Sequence, residues 1–213
     1  MKKITLFAGH YGSGKTSIAV SYAIKCKLQG ENVKIIDLDI VNPYFRTKDS
    51  EEELKEHGIE VISSEYANTN LDAPALPKEI YGVLSEPDTH LIIDVGGDDR
   101  GAVALGRYTP DIINDNYEMF FVANCYRPLT KTAEDAYEIM KEIEVASKLP
   151  FTAIVNNSNI GDFTTDEDIK KSEAYINKLS DLSGLPVKMT TSIREVDVKN
   201  NFIIKLQSKY YAV

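Results

Sequence analysis

Eight consecutive residues near the start of the chain, Gly9-His10-Tyr11-Gly12-Ser13-Gly14-Lys15-Thr16, fit G-x-x-x-x-G-K-[ST] at every fixed position. The residue types define the chemistry. Glycines let successive backbone N–H groups turn inward on a polyphosphate, the lysine offsets charge on its β- and γ-phosphates, and the threonine hydroxyl holds Mg²⁺. Such a loop carries meaning only between a strand and a helix. Ile4-Thr5-Leu6-Phe7-Ala8 has the β-branched and aromatic content of a buried strand, and Ile18, Ala19, Tyr22, Ala23 and Cys26 share one helical face. The expected phosphate-binding surface is therefore Gly9, His10, Tyr11, Gly12, Ser13, Gly14, Lys15, Thr16 and Ser17, with the positive end of the helix behind it. The alternative is a plain glycine turn before a helix.

Carboxylates follow at strand ends. Asp94 closes the apolar run Leu91-Ile92-Ile93, where a Walker-B acid would orient the Mg²⁺ held by Thr16. Read alone, it could equally be a solvent-facing acid. Gly96-Gly97 comes next, as a switch whose backbone meets the γ-phosphate or as a tight turn. Asp37 and Asp39 flank Leu38, and strand alternation points both to one side. One would orient attacking water and the other support Mg²⁺ or the loop; otherwise they are exposed loop acids. Together these offer Lys15, Asp94 and one of the Asp37/Asp39 pair to catalysis, and Thr16, Asp94 and one of the same pair to the metal.

The elements that must position these groups alternate in type. Val33–Ile36, Ile59–Ile62, His90–Asp94, Glu118–Ala123, Phe151–Val155 and Pro186–Thr190 read as strands. Helices are expected over Lys48–His57, Lys78–Leu84, around Val103–Leu105 and ending before Pro110, over Thr130–Ser147 capped by Thr130 or Thr132, over Asp166–Leu182, and over Asn200–Tyr211. Asn42-Pro43-Tyr44 and Ser63–Pro77 are loops, the second long enough to be functional. Strands apolar on both faces alternating with helices define an α/β fold: three layers, a mostly parallel sheet of about seven strands, helices on both faces, and one domain over 1–213. Ligands in such sheets sit at the carboxyl ends of strands, where the glycine loop, Asp37, Asp39, Asp94, Gly97, Asn156 and Asn157 all fall.

Composition bounds the partners. The chain has 213 residues, 43% hydrophobic and 27% charged, with a net charge of −9. Acidity disfavours DNA and anionic-membrane binding. Two separated cysteines, Cys26 and Cys125, give no disulfide framework, and with His10, His57 and His90 they form no recognisable ligand spacing. Without a signal peptide or long apolar run, a cytoplasmic protein is expected. Phe202, Ile203, Leu206 and Tyr210 make an amphipathic stripe, read as core packing ahead of a membrane face. Phe45 and Arg46 either contact a partner or pack their loop, and Arg194 is either a surface residue or a contact to a base.

In order, GHYGSGKT, IIDLDIVNP, LIIDVGG and AIVNN resemble the ParA/MinD/CobQ/CobB nucleotide-binding family, in the SIMIBI class that includes nitrogenase iron protein. The resemblance covers nearly the whole chain. It implies that Asp39 orients the hydrolytic water and Asp94 is the Walker-B acid. It also implies that Asn157, or Asn156 one register away, reads adenine. No N-K-x-D guanine signature follows, so ATP is expected over GTP. The family's deviant loop carries a signature lysine that acts across a sandwich homodimer; here that position is His10. In this respect the loop is closer to metallochaperone GTPases. The reading is a Mg²⁺-dependent ATPase switch acting on an unidentified protein partner, with a homodimer as one form. The alternatives are a P-loop kinase using Ser63–Pro77 as a lid, or a metallochaperone-like maturation factor.

Overall fold

A computed structural model describes residues 4–39, 50–63, 79–97 and 99–206. The expectations for Asn42–Tyr44, Phe45, Arg46, Tyr210 and most of Ser63–Pro77 lie outside the described residues.

The chain alternates β1 (Ile4–Ala8), α1 (Lys15–Leu28), β2 (Val33–Leu38), α2 (Glu51–Glu56), β3 (Glu60–Ser63), α3 (Glu79–Leu84), β4 (His90–Val95) and α4 (Asp99–Gly106). It continues through α5 (Thr109–Ile113), β5 (Tyr117–Ala123), α6 (Ala133–Ser147), β6 (Ala153–Asn156), α7 (Asp166–Ser183), β7 (Val187–Ser192) and β8 (Asn201–Ile203). The described strands form one eight-stranded sheet in the order β3-β2-β4-β1-β5-β6-β7-β8, and every pairing is parallel.

Strand alternation divides the core into two layers. Ile4, Leu6, Ile36, Leu91, Ile93, Met119 and Phe121 face α3 to α7, meeting Val83, Leu105, Met140 and Leu179. Phe7, Ile35, Ile92, Phe120, Val122 and Val155 face α1 and α2, meeting Ile18, Ala23 and Leu54. Central strands buried on both faces need continuous apolar runs, which these have. Capping boxes start α6, where Thr132 caps with Asp135, and α7, where Thr165 caps with Asp168. The other cap candidate, Thr130, instead donates to the Asn124 carbonyl at 2.7 Å.

The helix around Val103–Leu105 ends before Pro110, as expected, and Pro110 itself sits in the first turn of the next helix, α5, where a missing N–H costs nothing. One expectation is corrected. The last helix, expected over Asn200–Tyr211, is not found over its described part: Asn201–Ile203 is β8, which raises the strand number among the described residues from seven to eight. Asn200 adopts φ 56°, breaking any helical start. Ladder bonds then run from Thr190 N to Asn200 O and from Ile204 N to Ser192 O. Phe202 is 6% exposed and Ile203 55%, with Ile204 buried again, a period of two. Phe202→Ala is therefore expected to cost about 3–5 kcal/mol in denaturant unfolding, and Ile203→Ala less than about 0.5 kcal/mol. Equal losses would restore the helical assignment.

Candidate functional site

The glycine loop joins the carboxyl end of β1, between β4 and β5, to the first turn of α1. That helix start differs from those of α6 and α7. Gly14 at its N-cap provides no side-chain cap, and its first turn contains no acidic residue, whereas α6 and α7 have both a cap and first-turn acids. Several N–H groups and the positive helix end are thus left for an external anion. Gly14 has φ 90°, a left-handed conformation, and is pressed against the Asn157 amide. A side chain here would carry both strain and a clash.

Lys15 is 6% exposed, and its Nζ donates to the His10 carbonyl at 3.3 Å across the loop it would serve. Gly97 packs directly on this assembly. A Cβ there would lie 2.7 Å from both Lys15 Nζ and the Tyr11 Cα. The turn after β4 is therefore in contact with the phosphate loop, as a switch requires. His10 Nδ1 donates to the Tyr11 carbonyl at 2.9 Å, turning the ring back on its own loop.

The acids converge from neighbouring strands. Asp37 pairs in register with Asp94, and Asp94 with Phe7 at the end of β1. Ile35, Ile92 and Phe7 face α1, so alternation puts Asp37 and Asp94 on the α1 side as well. Asp94 is 1% exposed, which excludes the solvent-facing alternative. Asp37 and Asp39 are also buried, so neither is an exposed loop acid. Asp37 Oδ1 accepts from the Asp39 N–H at 2.9 Å and holds the turn, while Asp39 approaches the Gly96–Gly97 turn. The donors available to a cation are oxygens, the Thr16 hydroxyl and the Asp39 and Asp94 carboxylates, a set that fits Mg²⁺.

The two asparagines play parts the sequence does not show. Asn156 Nδ2 donates to Ser172 Oγ at 2.8 Å, and its Oδ1 accepts from Ser158 N. Asn157 Nδ2 donates to the Ser13 carbonyl at 2.6 Å, and its Oδ1 accepts from Thr191 Oγ1 and Asn159 Nδ2. Asn156 thus fastens β6 to α7, while Asn157 clamps the phosphate loop from behind. Asn157→Ala is expected to weaken binding of both adenine and guanine nucleotides by about tenfold, since an undone clamp leaves the Ser13 carbonyl buried without its partner. Selective loss of one base would instead make Asn157 a base reader.

A narrow hollow beside Asn157 is lined by Asn159, Thr191, Ile193 and Arg194. Arg194 is engaged there by Asp166 Oδ1 at 2.9 Å and the Thr164 carbonyl at 3.2 Å, holding the start of α7. Arg127, which sequence reading passed over, stands after β5 with its Nε 3.7 Å from where a Cβ on Gly12 would lie. That Nε is buried without a hydrogen-bond partner, an unusual state for a guanidinium. No local motif announces it; only the juxtaposition of two loops does.

This all-parallel sheet flanked by helices is a fold shared with solved structures. Solved structures with the same fold include the signal recognition particle 54 kDa protein from Aeropyrum pernix K1 in complex with GDP. It is 18% identical, with a TM-score of 0.60 over 89% of this chain and 41% of that one. FtsY from Thermotoga maritima is also 18% identical, with a TM-score of 0.60 over 90% of this chain and 62% of that one. FlhF complexed with GTP and Mg²⁺ is 16% identical, with a TM-score of 0.51 over 92% and 68%. The chain thus spans 41% to 61% of the length of the first four matched structures. No protein-family model matches the chain, and no curated protein matches it in sequence. No helix among the described residues is long and apolar enough to cross a membrane.

Proposed function

We propose that the chain is a Mg²⁺-dependent nucleoside triphosphatase of the ParA/MinD-like kind, working as a switch on a protein partner. The observation that carries this reading is the acid-free, uncapped start of α1, with Lys15 and the Gly97 turn packed over it. The triphosphate lies along Gly9–Ser17, and Lys15 offsets charge on its β- and γ-phosphates. Thr16 and Asp94 hold Mg²⁺, which adds positive charge beside the transferred phosphate. Asp39, beside the Gly96–Gly97 turn, accepts a hydrogen bond from the attacking water and aims it. Gly97 meets the γ-phosphate and is released when that phosphate leaves, which changes the surface a partner reads.

A groove of about 570 Å³ supports the partner reading. It runs from His10, Tyr11 and Gly97 past Leu129 to Ile139 and is rimmed by acids including Glu138. Tyr11 and Leu129 are exposed. A partner there would touch the phosphate loop and the switch turn together.

ATP is our reading of the nucleotide, from the absence of N-K-x-D. GTP is the second reading, favoured by the GDP and GTP complexes among the structures of the same fold. Purified protein is incubated with MgATP or MgGTP and scored for free phosphate, phosphoryl transfer to a metabolite pool and nucleotide-dependent dimerisation. Free phosphate with ATP in preference to GTP is expected. Transfer without free phosphate would make the protein a kinase, and GTP bound at least as tightly as ATP would overturn the base assignment.

A further inference from the structure

At the end of the sheet opposite the phosphate loop, three residues of metal-ligating type converge from separate elements. Cys26 lies on the last inward turn of α1, Glu31 in the turn before β2, and His90 opens β4. One sulfur, one carboxylate oxygen and one imidazole nitrogen from these residues all lie within 4.8 Å of one another. The main chain holds them in place. Glu31 N donates to the Cys26 carbonyl at 3.2 Å, and His90 N donates to the Asn32 carbonyl at 2.8 Å. His90 Nδ1 faces Glu31 Oε2 at 2.7 Å, and His90 Nε2 meets Thr5 Oγ1 at 2.8 Å. The other carboxylate oxygen, Glu31 Oε1, is buried and has no hydrogen-bond partner.

We propose that Cys26, Glu31 and His90 form a binding site for a zinc-like divalent cation, separate from the Mg²⁺ site of the phosphate loop. Thiolate, imidazole and carboxylate together are a zinc-type set, softer than the all-oxygen donors near Thr16. Tetrahedral zinc, with bonds of about 2.0–2.3 Å, places its ligand atoms roughly 3.3–3.7 Å apart. With no two of the three atoms more than 4.8 Å apart, the cluster reaches that spacing by small side-chain shifts that include opening the 2.7 Å His90–Glu31 contact. The orphaned Glu31 oxygen then has a partner. With His90 ligating through Nδ1, its Nε2–H donates to Thr5 Oγ1, the outer hydrogen bond that orients a metal-bound histidine. Binding replaces the Cys26 thiol proton, which leaves to solvent as the thiolate–metal bond forms. Glu31 is the most exposed of the three, its side chain 17% accessible beside 6% for His90, so the fourth position opens to water on its side.

The alternative is a purely structural His90–Glu31 pair fastening β4 to the turn before β2. Co²⁺, added alone to the intact chain, separates the two. A metal site gives a thiolate-to-cobalt charge-transfer band and tetrahedral visible bands that saturate at one equivalent and are displaced by Zn²⁺. The bands should vanish in Cys26→Ala and survive in Cys125→Ala. Glu31→Gln sits on a turn and is near-isosteric, so it tests the site without emptying the core; it should weaken Co²⁺ binding by more than about tenfold with an unchanged circular dichroism spectrum. Absence of the thiolate band in wild type, or its survival in Cys26→Ala, overturns the proposal. Asp94→Asn, which takes a carboxylate from the phosphate-loop donors, should keep the full cobalt spectrum, so this site stands or falls apart from the nucleotide reading; loss of the bands in folded Asp94→Asn would place the metal at the phosphate loop and overturn it.

Discussion

Lys15→Ala is expected to lower nucleoside triphosphate hydrolysis by about 10²–10³-fold, the usual loss when one preorganised charge donor is removed from a transition state. Lys15 is almost completely buried and is held across its own loop by the His10 carbonyl, so its charge sits in a low-dielectric site at the anion cradle. Lys15→Arg should not restore activity. The guanidinium is larger, and Gly97 packs so close to the Lys15 amine that a Cβ added at Gly97 would lie 2.7 Å from it. Steady-state phosphate release checks both variants, with circular dichroism as the folding control. Activity within a few-fold of wild type in Lys15→Ala would remove the lysine from the mechanism.

Asp39→Asn should reduce hydrolysis by about 10²-fold or more while nucleotide affinity changes by less than about tenfold, because an amide keeps the shape but cannot take up a proton or orient water as a carboxylate does. Asp37 gives the contrasting result. Its carboxylate accepts the Asp39 N–H at 2.9 Å, and an asparagine oxygen can accept the same bond, so Asp37→Asn should be mild. Asp37→Ala leaves that N–H without its acceptor and should cost about 1–3 kcal/mol of stability. Single-turnover hydrolysis measured beside equilibrium nucleotide binding separates the two acids, with the loss in Asp39→Asn expected in the chemical step and that in Asp37→Ala expected in the stability of the turn. If Asp37→Asn lost hydrolysis and Asp39→Asn kept it, the assignments would be exchanged.

Most of the layer architecture could be read from the chain because central parallel strands are apolar on both faces and are punctuated by glycine. Ile4–Ala8, His90–Val95 and Tyr117–Ala123 are such runs. The same logic fails at β8. Three residues at a sheet edge carry too little pattern, and Phe202, Leu206 and Tyr210 happen to fall at helical spacing. What makes the segment a strand is its ladder to β7, a tertiary contact that no local window contains.

The site divides in the same way. Gly9–Thr16, Asp37, Asp39 and Asp94 are visible because a glycine-loop motif and acids at the ends of apolar strands are fixed residue types at fixed local spacing. Asn157 is visible as a residue but not in its role, because the carbonyl it holds belongs to Ser13, 144 positions earlier. The Cys26–Glu31–His90 group escaped a search for ligand spacing because His90 enters from β4, 59 positions after Glu31. Local spacing reports chemistry within one loop; chemistry shared between strand ends appears only when the sheet is assembled.

The central claim is that the loop from Gly9 to Thr16 holds a nucleoside triphosphate through its phosphates and Mg²⁺. Isothermal titration of the intact chain with a non-hydrolysable ATP analogue and its GTP counterpart, each with and without Mg²⁺, tests it most directly. The account predicts one binding site per chain, tighter with Mg²⁺ and lost in Lys15→Ala. Absence of binding by wild type to either triphosphate, or binding unchanged in Lys15→Ala and indifferent to Mg²⁺, would contradict it.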